Sequence, residues 1–214
     1  KDGPIMAAAD IFDITVKGKG GHGATPQGTI DAVVVASHLV TTLQTIVSRN
    51  TNPLENTVVT IGKINGGQNF NIIADEVKLS GTTRAYSEEN RNMVKNRMED
   101  IIDGVSKTFG TEIILNYEEG YPPTINHEIP SKNILEAASQ VVGVGAGFPY
   151  LSMGGEDFSY YLRNVPGCFF FVGSAPDKKD TLSTPHHCSH FNIDERALLV
   201  GASVYINLIE NLLG

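Results

Sequence analysis

The chain has no tryptophan, two cysteines in 214 residues, and no run of lysine or arginine longer than two. Each shortage excludes something. Two thiols, Cys168 inside an apolar run and Cys188 among histidines, do not make a disulfide framework, so a reducing, cytoplasmic setting is expected. Sixteen Lys plus Arg against 24 Asp plus Glu give a net charge of −8, and without a basic cluster neither nucleic acid nor an anionic membrane surface is an expected partner. Neither C-x-x-C nor H-E-x-x-H occurs, so no self-contained zinc motif is present. The apolar runs fall short of the roughly 20 residues of a spanning helix, and no basic-then-apolar leader opens the chain, which predicts a soluble protein. Lys1 to Met6 has no start of its own, as expected for part of a longer polypeptide. There is no internal repeat. What the chain does have is 41% apolar residues, enough for one large or two small cores.

Asp10 to Val16 alternates Phe12, Ile14 and Val16 with Asp13 and Thr15, the pattern of a half-buried strand. It runs into Lys17-Gly18-Lys19-Gly20-Gly21-His22-Gly23-Ala24-Thr25-Pro26, where glycines surround one imidazole. Glycine permits positive φ and close backbone approach, so such a loop suits either a site or a tight turn. Gly18, Gly20 and Gly23 also satisfy G-x-G-x-x-G, the formal pattern of a dinucleotide site. The acidic residue expected about 20 positions on is missing, since Val33 to Leu54 contains no Asp or Glu.

A helix follows with two apolar stripes, Ile30, Val33, Val34, Val40, Val47 and Val35, Leu39, Ile46. One side would cover a sheet and the other would meet a second domain or subunit. Thr57 to Ile64 and Glu76 to Arg84 read as strands around a Gly66-Gly67 turn. In the latter, Val77, Leu79, Gly81 and Thr83 share one face, and Lys78, Ser80, Thr82 and Arg84 the other. Ser87 caps a helix with the stripe Val94, Met98, Ile101, Ile102, Val105, Phe109, ended by Gly110; Ile113, Leu115 and Tyr117 alternate as a fourth strand. The order β-α-β-β-α-β predicts an α+β, ferredoxin-like unit over 10–121 with both helices on one face. Pro122-Pro123 then marks a boundary. Beyond it, a helix capped by Ser131 and running to Val142, another over Gly155 to Leu162, a buried strand Cys168 to Val172 and a final helix from Asp194 suit a segment of an α/β domain over 122–214. Residues 1–9 would end a preceding segment.

Three histidines lie in His186-His187-Cys188-Ser189-His190. Imidazole and thiolate suit zinc and similar metals, but adjacent side chains rarely converge on one ion, so one ligand is expected here rather than a complete site. In Met153-Gly154-Gly155-Glu156-Asp157-Phe158-Ser159 the acids are candidates for a helix cap or a pocket. Arg84 is either an exposed sheet arginine or a carboxylate clamp, for which its planar fork is well matched.

Taken together, GKGGHGATP, the NFNIIAD stretch, the G-T-T-R strand end, G-G-E-D-F-S and His187 followed by Phe191 and Asp194-Glu195 resemble, in order, the C-terminal portion of M20-type metallopeptidases and amidohydrolases. The resemblance runs from about Gly3 to the C-terminus. It implies a lid and dimerisation domain followed by the second segment of a split catalytic domain. It implies hydrolysis of N-acyl amino acids or related amides, with two divalent ions, zinc or manganese, per site in the complete enzyme. By the same likeness His22 stabilises the oxyanion in the site of a partner subunit, Asn71 and Arg84 hold substrate, Gly155 and Glu156 line the pocket, Asp157 caps, and His187 is a metal ligand. Cys188 is expected to be a small neighbour of His187, with His186 and His190 orienting the loop. The family's N-terminal segments, H-x-C-G-H-D and a glutamate pair, have no counterpart, so this chain alone is expected to be inactive. The rival reading is a non-catalytic dimerisation module, and a nucleotide-binding domain stands third.

Overall fold

The computed structural model describes residues 1–143, 146–175 and 186–214. The described chain divides into two compact units. One is Pro4–Thr124 with Leu151–Tyr160; the other is Lys1–Gly3, Ile125–Tyr150 and Tyr161–Gly214.

The larger unit begins with β1 (Gly3–Met6), which starts at the unit boundary, and β2 (Ala8–Lys17). A two-residue strand β3 (Gly21–His22), helix α1 (Ala32–Thr45), β4 (Thr57–Gly66), a second two-residue strand β5 (Ile72–Ile73), β6 (Glu76–Ala85), α2 (Glu88–Phe109) and β7 (Ile113–Tyr121) follow. The four long strands form one sheet in the order β4-β6-β2-β7, antiparallel throughout. The β-α-β-β-α-β succession expected from the alternation and the two helical stripes is present. Phe12, Ile14, Val16, Val77 and Leu79 point to the helix side, where they bury against Val35, Leu39 and Leu43 of α1 and Val94, Met98 and Ile102 of α2. The opposite face carries Ile11 and Asp13, both exposed.

Local chemistry explains the element ends. Asp31 caps α1 by accepting from the amides of Val33 and Val34, and Ser87 caps α2 by accepting from Asn90. Gly110, at φ 62°, ends α2 in the left-handed conformation that glycine adopts without penalty. Of the two stripes on the first helix, the buried one is Val35, Leu39 and Ile46, extended by Ala32, Ala36 and Leu43; Val33 and Val34 stay exposed. The stretch Ala32–Asn50 is long and apolar enough to cross a membrane, contrary to the reading of the apolar runs, but its buried stripe is that of a core helix.

One charged pair sits in this core. Asp10, 1% exposed, lies on the helix side of β2, and Arg91 of α2 grips it through Nε (2.9 and 3.2 Å) and Nη2 (2.6 Å). The Tyr117 hydroxyl (2.8 Å) and the Gly120 amide (2.9 Å) also donate to the carboxylate. Burial pushes the Asp10 carboxyl up, and the bonds from Arg91, Tyr117 and Gly120 outweigh it, leaving a value below the ordinary 3.8. Burial raises the Tyr117 phenol, and Asp10 holds the Arg91 guanidinium charged. Opposite Asp10 the register of β2 on β7 slips, because Ile11 faces Glu118 while Ala9 faces Tyr121: Glu119 and Gly120 form a β-bulge.

In the smaller unit, α3 (Glu128–Val142) and α5 (Arg196–Leu213) pack together. The four-residue α4 (Ser159–Leu162) straddles the unit boundary, and β8 (Thr124–Asn126) precedes α3. Here several expectations are corrected. α3 starts after His127, and Ser131 is buried within it instead of capping it. The helix expected over Gly155 to Leu162 is α4 alone, since Gly154 and Gly155 leave the preceding backbone extended or turning. Cys168 to Val172, half-buried except for Phe171, forms no strand among the described residues, and the Asn126 side chain pairs with both the amide and the carbonyl of Phe169, each at 2.8 Å. α5 is also long and apolar enough to cross a membrane, and it leaves Leu198, Leu199 and Leu213 exposed.

Removing the Asp10 charge strands Arg91 in the core. Asp10→Asn is expected to cost about 3–5 kcal/mol in chemical denaturation at neutral pH. Because the folded Asp10 value is depressed, its contribution is complete above the ordinary carboxylate range and lost as pH falls through the folded value. The wild type should therefore lose stability on acidification below 3.8 more steeply than Asp10→Asn.

Candidate active site

The residues singled out from the sequence fall into three places. The first is the glycine loop after β2. Gly21 and His22 pair with Ile73 and Ile72 in a two-stranded sheet, and the Gly23 amide donates to the Asn71 carbonyl at 2.8 Å. His22 and Asn71 are thus brought together, both exposed. The glycines are needed for close approach and not for positive φ. A Cβ at Gly18 would stand 2.5 Å from the Ile30 carbonyl oxygen, and one at Gly23 3.1 Å from that of Asn71. Nδ1 of His22 accepts from the Ala24 amide at 3.0 Å, which leaves the proton of the neutral ring on Nε2 as an outward donor. A cleft of about 560 Å³ opens beside this small sheet, lined by Gly23, Pro26, Asp31, Val33 and residues 66–70 and 72–74, with Phe70 98% exposed; His22 and Asn71 are not in its lining.

This geometry disposes of the dinucleotide pattern. The Gly18 amide is spent on the Asp75 carbonyl (2.7 Å), and the amides at the start of α1 are taken by the Asp31 carboxylate. No helix N-terminus is left open behind the loop to receive a pyrophosphate.

The second place is the far end of the sheet. Arg84 of β6 stands opposite Ala9, and Ala9 stands opposite Tyr121 of β7, so the three form a row across the open face. The segment Leu151–Tyr160 lies over this row. A Cβ on Gly155 would fall 2.7 Å from the Ala9 Cβ, 3.1 Å from Cδ2 of Tyr121 and 3.6 Å from Nη1 of Arg84. Gly155 and Arg84 are therefore neighbours, and only glycine fits against Ala9. Arg84 is half-buried and has no hydrogen-bond or ion-pair partner among the described residues. A guanidinium so placed is free to grip a carboxylate in two-pronged fashion. Glu156, and not Asp157, caps the turn that follows: its Oε1 accepts from the Phe158 amide at 3.4 Å and its carbonyl from Ser159.

The two places lie at opposite ends of β2. Arg84 pairs beside Ala8–Ala9, whereas the His22–Asn71 sheet lies beyond the pairing of Lys17 with Glu76. Eight residue steps from Ala9 to Lys17 amount to roughly 26 Å.

The third place, in the smaller unit, is the histidine turn. His187, exposed, has φ 65°, the one non-glycine residue with positive φ among those described. The left-handed region is uncommon for residues other than glycine, histidine being among those that enter it more readily. His186 packs edge-on against Phe191 (5.1 Å between centroids), and Nδ1 of His190 meets the Ser189 hydroxyl at 3.0 Å. Cys188 is half-buried and free.

Sequence reading missed the Asp10–Arg91 cluster, Gly120 and Tyr160, although a signal existed. Asp10 falls on the inward phase of Phe12, Ile14 and Val16, and Arg91 sits three residues before Val94 on the apolar stripe of its helix. Two opposite charges each at a core-facing phase call for one another.

Comparison with known proteins finds relatives for the chain as a whole. Residues 10–108 match the peptidase dimerisation domain of the M20 family. The chain is 42% identical over 207 residues to YhaA of Bacillus subtilis, a protein carrying the name of an amidohydrolase, covering 95% of this chain and 52% of that one. It is 40% identical over 203 residues to the N-acetyl-L-cysteine deacetylase of the same organism, covering 93% and 46%. Among solved structures, YXEP of Bacillus subtilis, a dinuclear metal-binding peptidase from the M20 family, superposes with a TM-score of 0.79 at 27% identity, covering 100% of this chain and 52% of that one. The chain thus spans about half the length of the curated relatives it matches.

The residues in hand do not make a metal centre. Among the described residues no group of three or more His, Cys, Asp or Glu side chains is close enough together to hold an ion. A catalytic ion needs about three protein ligands. The chain by itself is therefore expected to retain well under one equivalent of zinc or manganese after dialysis, measured by elemental analysis; stoichiometric metal would show a site built from residues outside those described.

Proposed function

The chain belongs to the M20 family, whose relatives include amidohydrolases, deacetylases and peptidases, and from that premise we propose that it is the substrate-gripping and dimerising half of a metal-dependent amidohydrolase. The substrate class is an N-acyl amino acid or a related amide bearing a free carboxylate. The observation that carries this reading is Arg84: a half-buried guanidinium with no partner among the described residues, beside Gly155, where an added Cβ would stand 3.6 Å from Nη1.

In this reading Arg84 clamps the substrate carboxylate, with Gly155 keeping the approach open and Glu156 fixing the turn beside it. The amide to be cleaved then lies at a set distance from that clamp. His22, whose Nε2 carries the outward proton, donates to the oxyanion that develops on the amide carbonyl, and Asn71 contacts the substrate next to it. The separation along β2 decides how these act together. A small substrate cannot reach across roughly 26 Å of strand, so His22 and Asn71 serve the site of a second copy while Arg84 serves its own. Self-association through the 10–121 unit is thereby part of the function, in keeping with the dimerisation domain it matches. Of the metal ligands, zinc or manganese, we assign one to this chain, His187; the others and the general base lie outside it. A cytoplasmic location completes the proposal.

Arg84→Ala in the intact protein is expected to weaken substrates with a free carboxylate by about 2–5 kcal/mol in kcat/KM and to leave carboxamide-capped analogues nearly untouched. Equal losses on both would make Arg84 structural. Light scattering is expected to give a dimer at micromolar concentration, and a strictly monomeric mass would remove the basis for His22 acting across subunits.

A further inference from the structure

The buried ion pair and the site loop meet at one residue, Gly120, through the two peptide groups that flank its Cα. Its amide donates to Asp10 Oδ1 at 2.9 Å. Its carbonyl accepts twice, from Nη2 of Arg91 at 3.1 Å on the core side and from the Tyr160 hydroxyl at 3.2 Å on the other. Tyr160 closes the segment Leu151–Tyr160 that carries Gly155 and Glu156. The next residue along β7, Tyr121, stands edge-on to the Tyr160 ring, with centroids 6.1 Å apart and planes at 78°, and its Cδ2 lies 3.1 Å from where a Gly155 Cβ would be. Gly120 itself admits no side chain, since a Cβ there would meet the Ala9 carbonyl oxygen at 2.2 Å.

We infer that the Asp10–Arg91 pair, acting through Gly120 and Tyr160, positions the Gly155–Glu156 loop beside Arg84 and so sets the geometry of carboxylate recognition. The inference rests on the reading of Arg84 as the carboxylate clamp. Neither Asp10 nor Tyr160 touches substrate; both are positioning residues. The chain of contacts has no slack. Asp10 holds the Gly120 amide and Arg91 its carbonyl, and that carbonyl also accepts from the hydroxyl of Tyr160. Tyr160 stands edge-on to Tyr121, and Tyr121 in turn lies against Gly155, the glycine beside the guanidinium. Misplacement of that glycine by about 1 Å is enough to disturb a bound group aligned on two hydrogen bonds.

Two variants and two readouts test this. Tyr160→Phe removes one exposed hydroxyl and leaves the core intact; Asp10→Asn attacks the other end of the relay at the expense of stability. In Tyr160→Phe, hydrogen–deuterium exchange of amides 154–158 should accelerate by roughly two- to tenfold, the worth of one net hydrogen bond, while α2 amides stay unchanged. In the intact protein the KM of N-acyl amino acids with a free carboxylate should rise by a similar factor, with kcat and the KM of carboxamide-capped analogues unaltered. Asp10→Asn should show the same selective rise, larger, in whatever fraction is folded. Unchanged exchange at 154–158 in Tyr160→Phe, or a KM response that does not discriminate between the two substrates, overturns the inference. Arg84→Ala run alongside separates the failures. If that variant shows no carboxylate preference, the clamp reading has failed, and the exchange data alone still decide whether the loop is positioned by Gly120.

Discussion

A carboxylate and a guanidinium locked together inside an apolar layer constrain everything around them. Asp10 could not be buried between the sheet and α2 unless every lone pair were used, and Arg91, Tyr117 and the Gly120 amide use them. That demand ties the first long strand to the last and to the second helix, contacts separated by 81 to 110 residues of chain. A buried pair is a poor way to gain stability compared with apolar residues of the same volume. What it gives is registration: only one alignment of β7 on β2 presents an amide to the carboxylate, and that alignment includes the bulge.

The same sheet serves the two ends differently. At the Ala9 end, paired backbone, a close-packed glycine and an arginine form the surface for which we propose carboxylate recognition. At the Lys17 end, the chain leaves the sheet through a loop held by a few backbone bonds, and puts a histidine and an asparagine on exposed backbone at its edge. Lys17 marks the transition, paired with Glu76 just before the loop begins. On the proposed reading, one end of the strand holds substrate in its own subunit and the other reaches the site of a second copy.

Much of the larger unit could be read from the chain because its physics is local. Alternation over Asp10 to Val16, the caps Ser87 and Gly110, and the 3.6-residue stripe of α2 each specify their own element. The candidate residues were legible only through resemblance, since an arginine on a sheet or a histidine among glycines has ordinary explanations. What could not be read was non-local. The pairing of Gly23 with Asn71 joins residues 48 apart through backbone groups that every residue has. Cys168 to Val172 shows the same limit from the other side: an apolar run becomes a strand only where a second strand pairs with it, and among the described residues it is the Asn126 side chain that meets the Phe169 backbone.

The bulge at Glu119–Gly120 has a further effect on which side of the sheet β7 presents. Ile113, Leu115 and Tyr117 face the helices, and simple alternation would carry Tyr121 to the helices as well. One supernumerary residue reverses the parity, so Tyr121 emerges with Ala9 and Arg84 on the open side. Deleting one of the two bulge residues would therefore leave Tyr121 an odd number of steps from Tyr117 and still on the open side; the loss would fall on the core, where the bulge turns a backbone amide onto the buried Asp10 carboxylate.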